Sequence, residues 1–148
     1  MASSSTVTKR INDKPFLDTN VLVYAFGKDD PRQEVARNLL AAGGAIGVQT
    51  LNEFVAVAKR KLGMSWREIL EALAAIRVLC ASPTPLTIEI HDAALRIAER
   101  HEYRIYDSLI IAAALESRCS VLYSEDMHDG HVIQGLTLRN PFRHLGAH

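Results

Sequence analysis

The rhythm of apolar residues constrains this chain more than any other feature. Short runs rich in strand formers, namely Phe16–Leu17, Val21–Tyr24, Ala45–Val48, Cys119–Tyr123 and Leu136–Leu138, are separated by longer stretches with helical spacing. Buried strands separated by helices argue for a mostly parallel sheet covered on both faces, because parallel strands need helical crossovers. The expected fold class is α/β, a three-layer α/β/α sandwich with a mostly parallel sheet. The longest uninterrupted apolar run, Leu109–Leu115, has seven residues, against the roughly 20 that cross a bilayer. A membrane-spanning helix is excluded.

Helix boundaries carry their own punctuation. Pro31 opens an amphipathic stretch, Arg32–Ala42, which Gly43 and Gly44 close. Thr50–Glu53 and Ser65–Glu68 both fit the capping-box pattern. They precede apolar stripes at Leu51, Phe54, Val55, Ala58 and Leu62, and at Ile69, Leu70, Leu73 and Ile76. Pro83 and Pro85 break the chain before a further helix over 88–101, and Asp107 is expected to cap a very apolar one, Ser108–Glu116. Residues 1–14 are polar and aperiodic and read as a flexible tail, leaving 15–148 as one domain, long enough to bury a core without cross-links. The opening stretch lacks the apolar region of a secretory signal.

Composition narrows the partners only a little. With 17 basic and 17 acidic side chains, no bulk field draws the chain to nucleic acid or to an anionic membrane. Twelve of the bases are Arg, the side chain suited to bidentate phosphate contact. Cys80 and Cys119 sit among apolar neighbours without CxxC spacing, so they read as buried reduced thiols and favour a cytoplasmic setting. Gly43–Gly47 lacks either phosphate-loop spacing and reads as a helix end. Lys59–Lys61 reads as a solvated face or a track for an RNA backbone. His128 and His131 read as solvated turn residues, and Trp66 as either an interface anchor or a helix-start hydrophobe.

Four acids share one kind of position. Asp18 follows Phe16–Leu17, Glu53 lies in the first turn of the helix after Ala45–Val48, Asp107 opens a helix, and Asp126 follows Cys119–Tyr123. In a parallel sheet such handovers lie along one edge, where ligands bind. Four carboxylates converging there repel one another unless protons or cations compensate, and hard divalent ions with oxygen ligands are the natural compensation. Each acid alone has a plainer use: a turn for Asp18, a capping partner of Thr50 for Glu53, an N-cap for Asp107, a turn for Asp126. The shared position favours a common site.

The wording around these acids, Phe16–Tyr24, Thr50–Phe54, Ile105–Ala114 and Val121–Met127, resembles the motifs of PIN domains. The closing Asn140-Pro141-Phe142 is similar to that of VapC-type toxins of bacterial toxin–antitoxin pairs. The resemblance covers about residues 15–142, while the His128-Asp129-Gly130 wording departs slightly from it. It implies a PIN-like fold and an endoribonuclease hydrolysing RNA with Mg²⁺ or Mn²⁺ held by Asp18, Glu53, Asp107 and Asp126. Such ions activate water and neutralise the phosphodiester, and the dipole of its helix is expected to keep Asp107 ionised. It also implies an antitoxin partner, with a helix laid between helices 50–62 and 65–78, and a homodimer or larger assembly. Two other readings compete. One is a catalytically silent PIN scaffold that binds RNA or protein. The other is a receiver-type phosphate acceptor, for which Ser124 is present but no Lys follows Lys61.

Overall fold

Phe16 and Leu17 are both fully buried, yet they belong to two different cores. That alternation across one short strand organises the protein, because successive strand side chains point to opposite faces. The computed structural model describes residues 12–145. In chain order these form β1 (Phe16–Leu17), α1 (Thr19–Phe26), α2 (Arg32–Ala42), α3 (Val48–Arg60), α4 (Trp66–Leu79), α5 (Ile88–His101) and α6 (Ile105–Glu116). Then come β2 (Val121–Tyr123), β3 (Val132–Ile133), β4 (Leu136–Arg139) and a 3₁₀ turn, Arg143–Leu145.

The sheet order is β1-β2-β4-β3, parallel at the first two pairings and antiparallel at the third. Phe16 lies beside Leu122 and Leu122 beside Leu138, and all three face α5 and α6. Leu17 faces α1 to α4, where Phe54, Ile69 and Phe142 complete the second core. The three-layer, mostly parallel α/β architecture expected from the sequence is the one observed. No helix among the described residues is long and apolar enough to cross a membrane. Cys80 and Cys119 are buried and free.

Several elements differ from expectation. Val21–Tyr24 is helical: Asp18 caps α1, and Val21, Leu22 and Ala25 bury one helical face. Ala45–Val48 makes only isolated parallel bridges, Phe16 with Ala45 and Gly47 with Thr84, before Val48 opens α3. Its passage beside β1 demands glycine, since a Cβ on Gly44 would stand 2.8 Å from Leu17 Cγ. Strand β2 starts at Val121 and not at Cys119, which instead bridges Asn12. Strand β3 was not expected. It pairs with β4 through a two-residue turn in which Gln134 (φ 50°) and Gly135 (φ 87°) are both left-handed, the hairpin geometry that fits strand twist. The expected tail over 1–14 lies outside the described residues except for Asn12, Asp13 and Lys14, and there the Asn12 N–H already bonds Arg118 O at 2.8 Å.

Candidate active site

Asp18 sits where β1 hands over to α1, with its N–H on Tyr123 O at 3.0 Å. As N-cap of α1 it accepts the Thr19 N–H at 2.6 Å on Oδ1 and the Ser124 hydroxyl at 2.7 Å on Oδ2. It is only 4% exposed. Burial is the main cause that lifts its carboxyl to about 7; the two hydrogen bonds oppose this, and the charges of Asp107 and Glu53 add to it. Glu53 lies in the second turn of α3, where it accepts the Thr19 hydroxyl at 2.8 Å and the Gln49 amide at 2.9 Å.

Thr50, expected to cap the helix, is instead its third residue and accepts the Gly47 N–H at 3.2 Å. Glu53 is thus no capping partner. Asp107 is likewise in the first turn of α6 and not its cap, which is Arg104. Burial raises its carboxyl above the usual range, Arg104 at 3.6 Å opposes that, and Asp126 and Glu53 reinforce it. Asp126, past the end of β2, accepts the Asn20 amide at 3.2 Å, and its N–H bonds Ser124 Oγ at 3.2 Å.

All four acids line one open cavity of about 600 Å³. Arg60, Lys61 and Arg104 line it too, and Tyr106, 62% exposed, stands beside Asp107. Oxygen-only carboxylate donors suit a hard divalent ion, and such an ion would relieve the repulsion felt by Asp18 and Asp107. As they stand, each acid turns to its own partner, and among the described residues no three His, Cys, Asp or Glu side chains are drawn around a common point.

Sequence reasoning missed Thr19, Gln49, Asn20 and Glu125. Glu125 also lines the cavity and is bound by Tyr24 and by Arg32. Only adjacency to a chosen acid could have drawn attention to Thr19, Asn20 and Glu125. Ser124, singled out for a receiver-type role, spends its hydroxyl on Asp18, while Lys61 does stand on the cavity wall. Lys59 packs over the exposed Trp66 ring at 5.1 Å. His131 is not a solvated turn residue: it is half-buried, with Tyr103 Oη 2.9 Å from its Nδ1 and the His101 ring at 5.3 Å. Burial, then the neighbouring His101 and His128, hold its pKa below the ordinary value.

Known proteins share the fold. A toxin–antitoxin complex from Klebsiella pneumoniae is similar at TM-score 0.65 and 20% identity, over 86% of this chain and 97% of that one. VapC20 of Mycobacterium tuberculosis, described as a Sarcin-Ricin loop cleaving toxin, is similar at TM-score 0.59 and 22% identity, over 72% and 85%. VapBC2 of Rickettsia felis, solved bound to a DNA fragment from its promoter, gives TM-score 0.61 and 21% identity, over 84% and 96%. No curated protein matches the sequence. The family model of the PIN domain matches residues 16–128. That span holds all four acids of the cavity and most of the chain, and the chain belongs to the PIN domain family.

Proposed function

We propose that this protein is a metal-dependent endoribonuclease, the toxin of a toxin–antitoxin pair. The observation that carries the reading is the delivery of Asp18, Glu53, Asp107 and Asp126 from four separate segments to one cavity with cations on its wall. Those four residues would hold Mg²⁺ or Mn²⁺, which when bound lowers the pKa of a water and neutralises charge on a phosphodiester. The protein's own groups do the rest. Ser124 and the Thr19 N–H hold both oxygens of Asp18, and Thr19 and Gln49 hold those of Glu53, which keeps both acids at the cavity wall. Arg60 and Lys61 offer charge to the flanking RNA backbone, a sequence-independent and salt-sensitive contact. The product would carry a 5′-phosphate, and RNA as substrate sets the cytoplasm as the place of work.

The antitoxin belongs on α4. Leu70 is 64% exposed there, and with Leu51, Val55 and Leu73 it lines a shallow groove between α3 and α4. An amphipathic helix in such a groove is a common recognition mode. The Klebsiella and Rickettsia structures, which are themselves toxin–antitoxin proteins, support a partner of this kind. Self-association into a homodimer or larger assembly goes with the same reading.

Purified, antitoxin-free protein tests the reading on total RNA with mapped ends. Wild type should cut in Mg²⁺ and stop in EDTA, and Asp107→Asn should lose at least about a hundredfold in rate, as expected when a metal ligand is removed. Equal cutting by wild type in EDTA, or by Asp107→Asn at saturating Mg²⁺, would sink it. RNA binding without cutting would point to the silent scaffold.

A further inference from the structure

Glu125 shares the cavity with the four acids but differs from them in its company. Both of its oxygens are taken: the Tyr24 hydroxyl donates to Oε1, and Arg32 Nε donates to Oε2 at 2.6 Å. Arg32 is fixed in turn, with Nη1 on Asp30 Oδ1 at 3.1 Å and its guanidinium 5.0 Å above the Tyr24 ring. One residue on, Asp126 accepts the Asn20 amide from α1, and the Glu125 N–H reaches Asn20 Oδ1 at 3.4 Å. Side chains of α1 and α2 therefore grip the segment after β2 at the point where Asp126 leaves it. Beyond that point the segment is held differently, by the buried Met127 and by the Gly130 N–H on Leu138 O at 2.7 Å.

We propose that Glu125 is a positioning residue that acts through Asp126. With Tyr24 and Arg32 it clasps the β2–β3 connection onto α1 and α2, which aims Asp126 into the cavity. The charge of Glu125 is already met by the Arg32 guanidinium, whereas Asp126 accepts only the neutral Asn20 amide and keeps its charge for an ion, so the two neighbouring acids have different jobs. The part concerning metal rests on the nuclease reading, and the clasp itself does not.

Calorimetric titration of Mn²⁺ into the full, partner-free chain tests this, together with amide exchange on metal-free protein. Glu125→Ala should weaken Mn²⁺ binding by about tenfold, the scale on which groups that orient metal ligands act. Tyr24→Phe and Arg32→Ala should each weaken it in the same direction. In an Asp126→Asn background, Glu125→Ala should add almost nothing, since its effect passes through Asp126. Amides of residues 125 and 126 should exchange about tenfold faster in Glu125→Ala, with β4 unchanged. If Glu125 were a ligand, its loss would cost as much in the Asp126→Asn background as in wild type. Tyr24→Phe and Arg32→Ala would then tighten Mn²⁺ binding by freeing it. Either result overturns the proposal, as does unchanged exchange at 125 and 126. Should wild type bind no Mn²⁺, the nuclease reading falls, and exchange alone decides whether the clasp exists.

Discussion

Asp18 is where burial and chemistry oppose each other most. Its carboxyl, lifted to about 7 chiefly by burial, is protonated in both folded and unfolded chains below pH 4. Between there and pH 7 the unfolded chain releases the proton while the folded chain keeps it, so stability falls as pH rises and levels off above 7. The loss is of the order of a few kcal/mol. Asp18→Asn removes that penalty and keeps a group that can hydrogen bond Ser124, whose hydroxyl can donate or accept. Thermal melts in EDTA should therefore show wild type declining from pH 5 to pH 8 and Asp18→Asn declining less. The variant should melt higher at pH 8, and equal melting there would contradict the penalty. Asp18 was legible because it follows an apolar pair. Thr19, Ser124 and Glu125 were less so, because their roles depend on contacts made across more than 30 residues of chain.

The sequence puts the cap of helix α3 three residues late, at Thr50 where the structure has Gly47, yet the acid carried on that helix, Glu53, does line the cavity. Thr50 can serve as cap or as third residue with the same hydroxyl, and only the extended backbone at Gly47 decides between them. The N-terminus of α4 left no such choice. Ser65 and Glu68 exchange hydrogen bonds at 3.1 and 2.8 Å, the reciprocal box read from the sequence. Because that box is exposed, Ser65→Ala should lower stability by about 1 kcal/mol, seen as a lower urea midpoint at unchanged slope. The run Val21–Tyr24 misled because four consecutive apolar residues fit a buried strand and a helix equally. The β3–β4 hairpin stayed hidden because Gln134 occupies a left-handed position that Asn or Gly would have announced.

The molecule as a whole presents its acids at one edge of the sheet and a group of exposed apolar side chains, Trp66, Leu70, Val78 and Leu79, elsewhere on α4. Leu70→Glu separates the two surfaces. Surface changes of this kind move stability by only about 0.5 kcal/mol, so folding and RNA cleavage should stay as in wild type. Binding of the antitoxin should weaken at least about tenfold, the cost expected when a buried apolar contact is replaced by a charge. Undiminished affinity in a pull-down titration would place the partner on another face. The parallel pairing of Phe16 with Leu122 joins two strands that lie far apart in the chain. Strand β1 is synthesised well before β2, and Asp18 gains its bonds to Tyr123 and Ser124 only once those residues have been made. On the proposed ribonuclease reading, this order of synthesis would leave the polypeptide inert until β2 has been made. Nascent chains stalled before Val121 should leave ribosomal RNA intact, whereas the released, complete protein should be active at once; cleavage by the stalled chain would show that the site can assemble without β2.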